Sequence, residues 1–104
     1  MTRSRVTLSE AAVSDILDQS DWYRVQSGLK LARRWEQAVS NAIVRISRNP
    51  RIGANCSFKA AELRDVRRTT IQKFPKHLLF YHVQDDQIVV LRVIHGARDL
   101  ESLF

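Results

Sequence analysis

The stretch Ile88–Ile94, IVVLRVI, is apolar at every position but Arg92, and most of its side chains are β-branched. It lacks the in–out alternation of a strand with one wet face. It therefore reads as a strand buried on at least one face and, by its uniformity, on both. Any fold for this chain must put other layers around it. The pattern stops at His95-Gly96. Arg98 and Asp99 follow, and then Leu100, Leu103 and Phe104 fall at helical spacing. A buried strand thus delivers a histidine, a glycine and an arginine to its C-terminal edge, and a short apolar tail folds back. Glycine at that point lets the chain leave the sheet with a backbone other residues avoid, or pass close to another group.

Upstream, HLLFYHV (His77–Val83) is a second apolar strand, joined to the first by the polar turn Gln84-Asp85-Asp86-Gln87. A connection this short requires an antiparallel hairpin. Leu63–Gln72 is rich in β-branched and basic residues and reads as a third strand, with Val66 and Ile71 on opposite faces unless a bulge intervenes. Phe74-Pro75 is expected to end it. Arg51–Ala61 has no clear period and reads as a loop.

The N-terminal half is helical. Arg5–Leu8 is a candidate edge strand. Ser9 stands where an N-cap belongs, with Glu10 in the first turn, and the helix it opens is expected to reach about Tyr23. After the break at Gln26-Ser27-Gly28, a longer helix runs from Leu29 to about Asn49. Ala32, Trp35, Val39, Ala42, Ile43 and Ile46 form its apolar stripe; Lys30, Arg34, Gln37, Asn41, Arg45 and Arg48 form the opposite, basic one. Pro50 ends it by pushing the preceding residue out of the helical region. Two helices joined by a short turn pack as an antiparallel hairpin. The order is βααβββ with a possible final helical turn, an α+β fold: a helical hairpin over one face of a small antiparallel sheet, whose other face should be open and basic. With 104 residues, the chain is a single domain, 1–104.

Charge narrows the partners. The net is +6, but Gly28–Lys76 alone holds 12 basic and 3 acidic residues, a net of +9, leaving −3 for the two ends. A field of that sign favours nucleic acid or an acidic protein; the basic helix stripe also suits a merely solvated face. Cys56 is the only cysteine, so no intrachain disulfide forms, and a reducing cytoplasm is expected. One cysteine and three scattered histidines (His77, His82, His95) assemble no zinc set. Neither a signal peptide nor a membrane span is expected, and nothing calls for a metal or cofactor.

Residues fit for chemistry sit on the late strands: Arg67, Arg68 and Lys73, then His77, Tyr81 and His82, then Arg92, His95 and Arg98. Guanidinium groups with one His or Tyr could cleave RNA without a metal. The cations would hold the phosphate while the His or Tyr moves a proton. Arg67, Arg68 and Thr69 equally suit the solvated face of a half-exposed sheet. His77 and His82 suit packing or surface positions, and Arg98 and Asp99 could brace the C-terminal segment.

The same residues resemble a known family. VTLSEAAVSDI, the Asn49-Pro50 and Gly53 element, LRDVRRTTIQKFPKHLLFYHV and the ending VIHGARDLESLF are, in that order, similar to the RelE/ParE superfamily of small toxins, more to its ParE-like branch. The resemblance implies the toxin of a type II toxin–antitoxin system. Its partner would be a ParD-like antitoxin with an acidic C-terminal segment, in a hetero-oligomer that links it to growth arrest and plasmid stabilisation. RelE-like members are implied to cut mRNA on the ribosome, using a basic cluster and a C-terminal Tyr or His. ParE-like members are implied to inhibit DNA gyrase by binding. The HGARD ending without a terminal Tyr or His favours the gyrase inhibitor, which is not an enzyme. Arg67, Arg68, Lys73, His95 and Arg98 are the catalytic set if the chain is a metal-independent endoribonuclease. A relative that only binds its antitoxin is the third reading. Candidate target contacts are His95, Arg98, Asp99, Arg67 and Arg68. Candidate antitoxin contacts, along an apolar seam at the hairpin and sheet edge, are Trp22, Trp35, Val39, Leu100, Leu103 and Phe104.

Overall fold

A computed structural model describes residues 4–96 and residue 104. In chain order it contains β1 (Arg5–Leu8), α1 (Glu10–Ser27), α2 (Leu29–Arg48), β2 (Ala54–Asn55), a single 3₁₀ turn (Ala61–Leu63), β3 (Val66–Ile71), β4 (Phe74–Gln84) and β5 (Gln87–His95). The fold is α+β, two helices packed on one sheet of strand order β1-β5-β4-β3-β2. The expected wholly antiparallel sheet is corrected to a mixed one. β2 to β5 are antiparallel neighbours, but β1 runs parallel to β5, from Arg5 opposite Gln87 to Leu8 opposite Val90. Parallel pairing needs a long connection, and both helices and three strands lie between these partners.

Ser9 caps α1 as expected: its hydroxyl accepts from the Ala12 N–H at 3.0 Å. It also donates to the Leu91 carbonyl at 2.8 Å, tying the helix start to β5. The helix ends at Ser27 rather than Tyr23. Nothing in Arg24–Ser27 stops it; Gly28 does, at φ 95, a conformation side chains with a Cβ avoid. On α2 the expected stripe is confirmed, with Ala32, Trp35, Val39, Ala42 and Ile46 buried and Ile43 half-buried. Arg45 departs from the basic stripe. Its guanidinium lies over β3, donating to the Thr70 carbonyl at 2.8 Å and the Thr69 hydroxyl at 3.1 Å. β2 pairs with β3 only at Arg67 and Arg68. Arg45 therefore covers the rung beyond, where a bare edge would invite another strand.

Three expectations in the middle of the chain are corrected. The loop after α2 contributes the two-residue β2, because Asn55 and Ala54 lie against Arg67 and Arg68. β3 starts at Val66, since Ala61–Leu63 turns as 3₁₀. Phe74-Pro75 begins β4 instead of ending β3; the turn is Gln72-Lys73, with Lys73 at φ 73. Pro75 is tolerated there because pairing to β3 jumps from Leu78 to Phe74, so its missing N–H breaks no ladder bond.

Two apolar clusters flank the sheet. On the helix side Trp35, Val39, Ile46, Ile71, Leu79, Tyr81, Ile88 and Val90 form the main core. On the far side Val66 and Phe80 are covered by Cys56, Phe58, Leu63, Leu78, Leu91 and Ile94. Val66 and Ile71 thus face opposite ways, and Ile88–Ile94 is covered on both sides. The far face is not the open basic surface expected: the 56–63 segment lies on it, and the Phe104 ring packs tilted against Phe58 and edge-on against Phe80, with ring centroids 5.7 and 5.5 Å apart. The expected final helical turn, with Arg98, Asp99, Leu100 and Leu103, lies outside the described residues.

Candidate functional site

β3, β4 and β5 carry most of the candidate side chains, and strand parity decides where each points. Arg67 stands opposite Tyr81 and Arg68 opposite Phe80. Arg67 therefore faces the helix side and Arg68 the far side. Arg67 donates to the Gly53 carbonyl at 2.7 Å. Beside it the Tyr81 hydroxyl accepts from the Gly53 N–H at 2.9 Å and donates to the Pro50 carbonyl at 2.7 Å. A Cβ on Gly53 would lie 2.6 Å from that hydroxyl and 2.8 Å from the Arg68 carbonyl, so only glycine fits. Burial pushes the Tyr81 phenol up, only partly offset by the Gly53 N–H and by Arg67 and Arg45, and it stays a neutral donor. Arg67 and Tyr81 fasten the loop that leaves α2. A tyrosine inside an apolar strand was the sequence signal for this knot, because a buried hydroxyl needs partners.

Arg68 is exposed on the far side. Nearby, burial raises the Cys56 thiol, with Arg68 pulling weakly the other way, so the thiol remains protonated.

His77 and His95 are register partners at the other end of the sheet, their rings 5.7 Å apart. His77 is buried with its ring 4.8 Å from Trp35. Burial, and then the neighbouring His95, hold it below the usual histidine range, so it packs as a neutral ring. His95 is exposed, on the wall of a cleft of about 540 Å³ formed with Asp15, Asp18, Trp22, Tyr23 and His77. Tyr81 and His77 are four positions apart on β4, so Arg67 and His95 are separated by about 13 Å along the strands and about 10 Å across them. Lys73 sits in the β3–β4 turn, against α2 rather than the histidines. The candidate catalytic residues therefore do not converge on one phosphate: Arg67, Arg68, Lys73 and His95 occupy separate places. Arg98 and Asp99 lie outside the described residues.

The candidate antitoxin contacts also separate. Trp22 is 56 % exposed and Phe104 38 %, but Trp35 and Val39 are buried and anchor α2 to the sheet. Trp35 reaches Trp22 only through Tyr23, whose ring lies 5.7 Å from Trp22 and 5.9 Å from Trp35.

Sequence reading missed Asp15. Its carboxylate accepts from Arg92 Nε at 2.8 Å, from a second guanidinium nitrogen at 2.9 Å and from the Val93 N–H at 3.0 Å. It takes over the edge of β5 just where β1 ends. The carboxylate holds the Arg92 guanidinium charged above its ordinary value. No periodicity marks such a residue; one acid among four on α1 looks like solvent-facing charge.

A family model described as the ParE toxin of the type II toxin–antitoxin system parDE matches residues 6–100. This chain belongs to the ParE toxin family. Solved structures agree on the fold. The ParE chain resembles one from the chromosomal ParDE system of P. aeruginosa with a TM-score of 0.73 and 18% identity, covering 89% of this chain and 96% of that one. It resembles a chain of the RelBE2 toxin–antitoxin complex of Mycobacterium tuberculosis with a TM-score of 0.61 and 22% identity, over 90% and 99%. For a chain of the intact E. coli RelBE complex the TM-score is 0.54 and identity 20%, over 91% and 99%. No curated protein sequence matches. As a member of this family the chain is a type II toxin, in the RelE/ParE superfamily on its ParE-like side. Among the described residues of this ParE chain, no helix is long and apolar enough to cross a membrane, and no three His, Cys, Asp or Glu are grouped to hold a metal ion.

Proposed function

We propose that this toxin acts by binding DNA gyrase rather than by cleaving RNA, and that a cognate antitoxin with an acidic C-terminal segment neutralises it. The observation that carries the reading is the dispersal of the basic side chains. Metal-free cleavage needs cations and a proton-transfer group around one phosphate. Here Arg67 and Arg68 point to opposite faces, Arg67 is engaged by the Gly53 carbonyl, and His95 lies at the far end of the sheet.

The antitoxin needs an apolar place to dock, and α1 offers one. Val13, Leu17, Trp22 and Val25 are 42, 54, 56 and 78 % exposed. An acidic segment would be drawn in by the net charge of +6, which sits in the middle of the chain and not on the acidic α1, before its apolar side chains settle on these residues of α1. Raising salt should therefore slow association more than it shortens residence time; a salt-independent on-rate contradicts this.

Expression without antitoxin should arrest growth, and harmless overexpression would leave only an antitoxin-binding role. Purified toxin should block supercoiling by gyrase and leave ribosome-bound mRNA intact. Cleaved mRNA, with cleavage lost on Arg68→Ala or His95→Ala, would replace this reading with a ribosome-dependent endoribonuclease.

A further inference from the structure

We propose that the outer face of α2, together with the β3–β4 turn, is a contact surface for the phosphate backbone of duplex DNA. The inference deepens the gyrase reading, since gyrase works on duplex DNA, but it stands on a different part of the molecule. Lys30, Arg34, Gln37, Asn41 and Arg48 are all exposed along one side of α2. Eighteen positions separate Lys30 from Arg48, about 27 Å of helix. That length covers most of one turn of duplex, about 34 Å.

Two adjoining clefts run along this side. One, of about 490 Å³, places Arg34, Gln37 and Asn41 across from Gln72, Lys73 and the half-buried Phe74. The other is formed by Leu29, Lys30, Arg33, Arg34 and Gln37. Neither is lined by any carboxylate. The cleft at the C-terminal end of β5, by contrast, contains Asp15 and Asp18. The one acid on α2, Glu36, is turned toward α1, where Ser20 donates to it. The α2 face is thus a row of cations, drawn from two elements and without a paired carboxylate among the described residues, and a bound polyanion would supply the counter-charge.

The rest of the lining chooses between an acidic protein and nucleic acid. Stable protein docking needs aromatic or aliphatic anchors at its centre. Here the centre of the row is Arg34, Gln37 and Asn41, and the exposed apolar residues of the hairpin lie mainly on α1. Gln37 donates to the Asn41 side chain at 3.0 Å, which aligns the two amides along the row. Leu31 and Phe74 line one cleft, Leu29 the other, and Val44 lies beside the row, but the groups along its centre are cations and amides, which match those that bind phosphate oxygens without reading sequence.

The test is fluorescence anisotropy of the purified toxin with a labelled duplex of about 20 base pairs, titrated at several salt concentrations. With about four phosphate contacts, log affinity against log salt should have a slope of roughly −3 to −4. Arg34→Gln and Lys73→Gln should each weaken binding about threefold to tenfold and shallow the slope by about 1, whatever the sequence of the duplex. Arg24→Gln, an equal charge change on α1, should leave the slope unaltered. An unchanged far-ultraviolet circular dichroism spectrum and melting curve would establish that each variant is folded, and Arg48→Gln gives an independent probe of the row.

An equal effect of Arg24→Gln and Arg34→Gln, or absence of binding at low salt, overturns the assignment. So does tighter binding of duplex RNA, or of a polyglutamate peptide, than of DNA. Inhibited supercoiling without binding to free duplex leaves the gyrase reading standing and removes this one. Duplex binding without inhibition does the reverse.

Discussion

The two helices of the hairpin are near equals in length and opposites in design. α2 buries Ala32, Trp35, Ala38, Val39, Ala42, Ile46 and Ser47, whereas α1 buries only Ala12 and Ser20. α2 carries five basic residues and one acid, α1 four acids and one basic residue. α2 is fastened by apolar burial. α1 is held largely by polar ties: Ser9 to Leu91, Asp15 to Arg92 and Val93, Ser20 to Glu36, and the Trp35 indole N–H to the Ile16 carbonyl at 3.0 Å. A helix tied by hydrogen bonds can keep apolar side chains outward for a partner. A helix tied by its apolar stripe presents the opposite, polar side. Sister helices thereby give the toxin two unlike surfaces.

This contrast can be broken by substitution, and the largest effect should come from α2. Trp35→Ala removes a side chain fully enclosed in the main core and should destabilise the fold by about 3–5 kcal/mol in urea titration. A loss below about 1 kcal/mol would mean that α2 is not the anchor. Asp15→Ala should follow at about 1–3 kcal/mol, because it leaves a half-buried guanidinium and the Val93 N–H without that carboxylate. If Asp15→Ala is silent, the polar clamp on α1 is ornamental. Ser9→Ala should cost about 1 kcal/mol, read the same way, through loss of the cap and of the bond to β5.

The pH dependence follows from His77. Its folded value lies below the ordinary 6.5, so the unfolded chain takes up a proton first as pH falls. Its contribution to stability is complete above about 6.5 and is lost progressively below that, until the folded value is reached. Thermal melts between pH 7.5 and 5 should show the loss, and His77→Phe should reduce the slope. An unchanged slope would place the titrating group elsewhere. The smallest effect on folding belongs to Trp22→Ala, within about 0.5 kcal/mol, since its side chain is over half exposed. The same variant should weaken antitoxin binding measurably by calorimetry, and equal affinity would remove α1 from the interface.

The sequence contrast between the helices was legible only on one side. The stripe of α2 has a clear helical period, so its buried residues could be named, and Ser9 and Gly28 mark the hairpin's joints. β5 was legible because its apolar run admits no wet face. The far face was misread because Cys56, Phe58 and Leu63 lie in a segment without period, and nothing local says that it returns to cover Phe80. The site was legible as residue types but not as geometry. Adjacent arginines in a strand read as a cluster, yet strand parity sends Arg67 and Arg68 to opposite faces. Arg45 and Asp15 looked like solvent charges because their partners, Thr70 and Arg92, are 25 and 77 residues away.

The most direct measurement is a titration of a fixed amount of gyrase with purified toxin in a supercoiling assay, run beside a ribosome–mRNA assay at the same concentrations. Inhibition by binding predicts that supercoiling falls as toxin approaches the amount of gyrase present, while mRNA stays whole. Unimpaired supercoiling at excess toxin, together with many mRNA molecules cut per toxin molecule, would contradict it.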